Sequence, residues 1–246
     1  MNSVVVHEGE SLLGEGRIAV VVTGLDLPSR NRKTGPIAQA YIICSDMNPV
    51  DAVRSGHDDV ICGDCVYRES DGQSRRCYVS YWNAPTKLFF SLDRIPRCNT
   101  VLAAGWLADK MIRLGAYGDP AAVPVSVWSE LLGQARAWIG YTQQWRVCDQ
   151  ELKRFCMASV PDAEAAREAQ ALGWRTYRVR PSTADALRDG EIVCPASEEA
   201  GHRVTCERCK LCAGTSRMAA NIVIAAHGQP RMIRAFSLKE SKGVRP

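Results

Sequence analysis

Seven of the 11 cysteines in this 246-residue chain fall into two groups whose spacing suits metal chemistry. In Cys206-Glu-Arg-Cys-Lys-Leu-Cys212 successive cysteines are separated by two residues, and Cys194, just ahead of Pro195, supplies a fourth thiol. Thiolates at such spacing hold a [4Fe–4S] cluster in ferredoxin-like runs. Two members of such a run can instead join two other ligands around tetrahedral zinc and staple the last connection of a fold. Iron–sulfur ligation by Cys194, Cys206, Cys209 and Cys212 is the expectation, with zinc as the alternative. His202, inside the same loop, reads as a solvated loop histidine whose other use would be to replace one cysteine.

The second group is Cys62-Gly-Asp-Cys65 together with Cys77, which stands before Tyr78 and beyond a polar stretch. Here three thiolates are offered, not four. A four-iron cluster on three cysteines leaves one iron open to a substrate, or to the amino and carboxylate groups of S-adenosylmethionine. Alternatively, Cys62 and Cys65 complete a zinc site with two cysteines of the distant run. Cys44, Cys148 and Cys156 lie in or beside apolar segments and are expected as small buried hydrophobes, while Cys98, just ahead of a helix, is open between that role and ligation. The odd cysteine count, in a chain whose first residues lack a basic head and a long apolar stretch, favours metal ligation in a reducing, cytoplasmic setting over disulfides.

Elements that could position these thiols recur along the chain. Short apolar, β-branched runs at 40–44, 111–117, 138–142, 155–160, 175–179, 191–194 and 221–226 predict strands. Helical stretches are predicted between them at 83–92, 100–110, 124–132 and 161–172, the last two ending at Gly133 and Gly173. Alternation of this kind implies an α/β fold with a parallel sheet, closed or partly closed into a (β/α) barrel. Residues 1–36 differ: strands at 4–6 and 17–23 predict a small β-hairpin against the barrel's end, followed by a basic loop, Arg30-Asn-Arg-Lys-Thr-Gly-Pro36. The expected division is therefore 1–36, hairpin and loop, and 37–246, a cysteine-rich α/β barrel. A hydrophobic content of 46% excludes disorder, and no apolar run approaches the ~20 residues of a membrane span. The net charge of +4 is spread along the chain and permits contact with nucleic acid without requiring it.

In parallel α/β barrels the chemistry sits at the C-terminal ends of the strands. That rule nominates Asp46, Asp119, Tyr141, Gln143, Ser159, Arg180 and His227. Asp119, between Gly118 and Pro120, is either a pocket carboxylate or a helix N-terminal acid. Tyr141-Thr-Gln-Gln-Trp145 could stack on a base or simply pack under a loop, and Arg178 and Arg180 could hold an anion or form salt bridges. His227 is an acid–base candidate beside a structural alternative.

Asn31-Arg-Lys-Thr-Gly35, the cysteine group closing on Cys77-Tyr78, Arg113-Leu-Gly-Ala-Tyr-Gly-Asp119 and Ile139-Gly-Tyr-Thr-Gln-Gln-Trp145 together resemble a family of cysteine-rich bacteriophage proteins. That family is in turn similar to phage-borne radical S-adenosylmethionine barrel proteins. The resemblance runs from about Asn31 to His227. It implies an open cluster at Cys62, Cys65 and Cys77 after the first barrel strand, and Gly118-Asp119-Pro120 where such enzymes hold the methionyl amino group. The cysteine spacing departs from the usual pattern of three and then two intervening residues: here two and then eleven intervene.

The leading expectation is an iron–sulfur enzyme of radical S-adenosylmethionine type. It would cleave the sulfonium reductively and abstract hydrogen from a small-molecule or nucleotide substrate, with nucleic acid a candidate partner. Its rivals are a zinc-stapled barrel enzyme acting on a nucleoside or nucleic acid, with Asp46 and Asp119 as nucleophile and base, and a non-enzymatic binding protein whose metal centres are structural.

Overall fold

The computed structural model describes residues 2–29, 31–69, 75–226, 230, 233 and 234. Its strands are β1 (Ser3–Glu10), β2 (Arg17–Thr23), β3 (Ala38–Cys44), β4 (Met111–Tyr117), β5 (Ala137–Ile139), β6 (Tyr141–Thr142), β7 (Met157–Val160), β8 (Thr176–Arg180), β9 (Glu191–Val193) and β10 (Asn221–Ala225). Helices α1 (Pro49–Ser55), α2 (Asp59–Cys62), α3 (Ala84–Phe89), α4 (Thr100–Trp106), α5 (Val125–Leu132), α6 (Ala163–Ala171) and α7 (Cys206–Cys209) lie between them.

Five strands pair in the order β1-β2-β3-β4-β5 and five in the order β6-β7-β8-β10-β9. The first sheet is antiparallel from β1 to β3 and parallel from β3 to β5, and the second is parallel throughout. Ile18 to Val22 are all buried, the pattern of a strand covered on both faces. One residue, Gly140, separates the two sheets. Its N–H leaves the ladder to donate to the Cys212 carbonyl at 3.1 Å, while its carbonyl accepts from Met157 at 2.9 Å. A Cβ there would lie 2.7 Å from Cys156 Sγ, so only glycine lets the C-terminal cysteine loop reach the sheet at this point.

One expectation is narrowed and one is corrected. A closed barrel is not formed among the described residues, because β1 pairs only with β2 and β9 only with β10. The N-terminal hairpin does not cap the barrel's end: β2 pairs along β3, from Ile18 opposite Cys44 to Thr23 opposite Gln39, and so extends the sheet sideways.

Helix ends follow local chemistry. Asp162 caps α6 by accepting from Ala165 N at 2.9 Å, and Asn99 caps α4 by accepting from Leu102 N at the same distance. The helix expected over 83–92 divides into α3 and a 3-10 turn at Leu92–Arg94, because Ile95 precedes Pro96 and is held extended. Trp128 of α5 is fully buried and donates its indole N–H to Pro120 O at 2.9 Å, which fixes α5 against the turn after β4. A large core lies between β1–β4, α4 and α5. A smaller one gathers Ile37, Met111, Ile139, Met157 and Ile222 with Cys194 and Cys212. None of the described helices is long and apolar enough to cross a membrane.

Candidate metal centres

Cys62, Cys65 and Cys77 line one cavity of about 970 Å³, open mouth included, at the C-terminal ends of the parallel strands. Each is placed by a specific contact. Cys62 ends α2, and Gly63 follows with φ of 57°; a Cβ there would stand 2.7 Å from the Gln144 side chain. That gap lets Gln144 Nε2 donate to Cys62 O at 2.8 Å. Cys77 is returned to Cys65 by its own N–H, which bonds Tyr67 O at 2.9 Å. Behind them Asp58, buried, accepts from Arg68 Nε at 2.9 Å and Nη2 at 2.7 Å, and from Arg75 Nη1 at 3.0 Å. Arg68 also donates to Gly63 O at 2.8 Å. One carboxylate thus ties both sides of the cysteine loop to α2.

Burial pushes Cys65 up to about 12 and Cys77 adds to it; burial, then Cys65, drives Cys62 well above the ordinary thiol range. Arg75 opposes this at both positions. Thiols raised in this way must give up their protons to ligate a cation, so metal loading at Cys62 and Cys65 would release protons.

Gly118, Asp119, Tyr141, Gln143 and Ser159 line the same cavity. Gly118, at φ of 76°, is a close-approach glycine: a Cβ would meet Ile42 O at 2.7 Å. Asp119 is both of the things its position allowed. It lines the cavity, yet Oδ1 accepts from Ala121 N at 2.9 Å, as a cap, and Oδ2 from Gln143 N at 2.7 Å. Gln143 Nε2 then donates to Ser159 Oγ at 2.6 Å. Asp119 therefore joins the end of β4 to the end of β6. Because an amide can replace only one of its two acceptor oxygens, Asp119→Asn is expected to lower stability by about 1–3 kcal/mol in a denaturant melt.

Burial also pushes Asp119 up to about 6 from 3.8, outweighing the donors at Ala121 and Gln143. A carboxyl raised in the folded state favours folding when protonated. Stability should fall as pH rises from about 4 to about 6 and level off above, and the Asn variant should lack that slope in melting curves.

Other nominated residues lie elsewhere. Arg180 pairs with Glu199 and donates to the Thr183 carbonyl at 3.2 Å, and Arg178 pairs with Glu191 at 2.8 Å; both serve the β8–β9 connection. Asp46 stands beside His57 and not beside Asp119, which removes a paired acid–base role for the two aspartates. His227 is outside the described residues. Trp145 is buried with Arg146 stacked 3.9 Å over its ring, so it packs beneath the loop and does not face the cavity.

Cys194, Cys206, Cys209 and Cys212 line a second cavity, with Lys33, Ile139 and Ile222, nearer the strands' N-terminal ends. The loop at 31–35 docks on this site: Cys206 N donates to Lys33 O at 2.9 Å and Glu207 N to Thr34 O at 3.0 Å. Arg175 fastens the far side, donating to the carbonyls of Leu211, Gly214, Ala219 and Ala220 at 2.6–3.0 Å. Tyr141 lines both cavities. His202 is turned to the Ala196 carbonyl at 3.2 Å and is not among the lining residues.

Sequence reasoning missed Arg113. It sits within β4, its Nη2 lies 3.2 Å from the Tyr78 hydroxyl, and its Nε is buried without a partner. No carboxylate among the described residues pairs with it. The available signal was an arginine in the middle of an apolar strand. Comparison of the chain with family models, with curated proteins and with solved structures yields no match.

Proposed function

We propose that the protein is an iron–sulfur enzyme of radical S-adenosylmethionine type, built on a partial (β/α) barrel of β3, β4, β5–β6, β7, β8 and β10. The observation that carries this is the convergence of Cys62, Cys65 and Cys77 on the same cavity as Gly118 and Asp119 at the end of the second parallel strand.

Bound at these three cysteines, a [4Fe–4S] cluster supplies an iron with an open position and, once reduced, an electron for sulfonium cleavage. The chain's own residues do the rest. Arg75 offsets the charge of the thiolates, and the Asp119 carboxylate holds the ends of β4 and β6 together at the cavity wall. Arg113 offers an unpaired guanidinium edge to an anionic group of the substrate, with Tyr141 and Tyr177, 4.5 Å apart between ring centroids, as aromatic wall. A nucleotide, anionic at one end and aromatic at the other, fits that lining. The lower quartet, embedded in the smaller core, closes the floor of the barrel.

The test is anaerobic reconstitution followed by titration with S-adenosylmethionine. A shift in the reduced cluster's electron paramagnetic resonance signal is expected, and Cys65→Ala should abolish it with a modest loss of stability. Absence of any shift at saturating concentrations contradicts the proposal. Arg113→Gln should weaken nucleotide monophosphate binding at least tenfold, about 1.4 kcal/mol. It should leave the melting temperature nearly unchanged, since it deletes a half-buried cation with no carboxylate partner among the described residues.

A further inference from the structure

We infer that Cys44, Asp46 and His57 form a separate site for a borderline-soft divalent cation, zinc foremost, which clips the end of β3 to the turn between α1 and α2. Cys44 Sγ, an Asp46 carboxylate oxygen and a His57 ring nitrogen all lie within 4.8 Å of one another. They converge without satisfying each other. His57 Nε2 is 3.6 Å from Asp46 Oδ1, too far for a good hydrogen bond, and that nitrogen is buried with no hydrogen-bond partner. The thiol's own contact is a long one, 3.9 Å to the His57 carbonyl. Donors left apart in this way match ligands about 2.0–2.3 Å from a shared ion, which stand roughly 3–4 Å from one another.

The donor set selects the ion. One thiolate, one imidazole and one carboxylate suit zinc or cobalt and disfavour magnesium or calcium, which prefer all-oxygen cages. Asp46, Asp58 and Asp59 reinforce burial in pushing the Cys44 thiol up to about 12. The same fact argues against a cysteine nucleophile served by His57 and Asp46. Such a thiol needs a lowered pKa and access, and Cys44 is 2% exposed. None of the three residues lines either cysteine cavity, so the site is distinct from both. His57 directly precedes Asp58 and α2, so an ion here would anchor the segment that carries Cys62.

The inference does not rest on the iron–sulfur reading, and its test is a difference between chains that share the other cysteines. Protein with those centres intact is equilibrated with excess zinc, gel-filtered and analysed beside His57→Gln and Asp46→Ala. Both variants should lose about one zinc per chain relative to wild type, with iron and sulfide unchanged. Competition with a chromophoric chelator should register at least a tenfold loss of affinity. Asp46 is more than half exposed, so its replacement keeps the fold and serves even where His57→Gln disturbs the turn. The wild-type minus variant X-ray absorption at the zinc edge should contain one sulfur with nitrogen and oxygen. Equal zinc content in all three chains, or a difference shell of sulfur alone, would overturn the inference.

Discussion

Cys212→Ser should produce a chain that retains about half the wild-type iron and melts far below it. Cys212 is buried in the smaller core, and its carbonyl is the partner of Gly140 N. The loop that carries it has little apolar surface of its own; α7 has no buried residue. On the proposed reading, ligation adds to the hydrogen bonds from Arg175 and to the 31–35 loop in ordering this segment. Binding at a structural metal site of this kind contributes on the order of 10 kcal/mol to folding, comparable to the whole stability of a typical domain. The thiol's replacement by a harder, weaker ligand forfeits much of that. Iron analysis and a thermal melt check it together, and wild-type values of both would show that the lower centre is misassigned.

Asp58→Ala should cost about 3–5 kcal/mol, because it leaves Arg68 and Arg75 without the buried carboxylate that pairs with both. Stability is not the only expected loss. Arg68 and Arg75 flank the segment that returns Cys77 to Cys65, so the upper centre should release its metal while the lower one keeps its own. This selectivity separates a positioning role from general destabilisation. Asp58→Asn, which keeps one acceptor oxygen, should fall between alanine and wild type in a urea melt. Equal loss of metal from both centres would contradict the account.

Much of this organisation is legible in the sequence, for identifiable reasons. Apolar or β-branched runs mark β4, β7, β8 and β10 within two residues, and β7, buried at every position, carries no polar alternation to obscure it. The spacing of Cys206 and Cys209 marks one helical turn, and α7 is that turn. The relation between the two cysteine groups is another matter. That they sit towards opposite ends of the strands follows from contacts remote in sequence, Gly140 with Cys212 and Arg175 with four carbonyls, which no local pattern announces. Asp58 and Arg75, 17 residues apart, pair in the fold through a contact that no local pattern announces. Arg180, nominated for a ligand, was instead absorbed by Glu199, since a strand-end arginine beside an acidic loop satisfies itself first. The basic loop at 31–35, expected as solvated, offers its carbonyls to the cysteine turn; its side-chain charges gave no sign of that main-chain role.

The most direct test of the central claim, that both cysteine groups hold iron–sulfur clusters, is metal and sulfide analysis of anaerobically purified and reconstituted chain, with Mössbauer spectroscopy of the iron. Two four-iron clusters predict about eight iron and eight sulfide per chain, in two spectral components, one of which changes on addition of S-adenosylmethionine. Zinc near stoichiometry with the cysteine groups, and no iron retained after reconstitution, would contradict it.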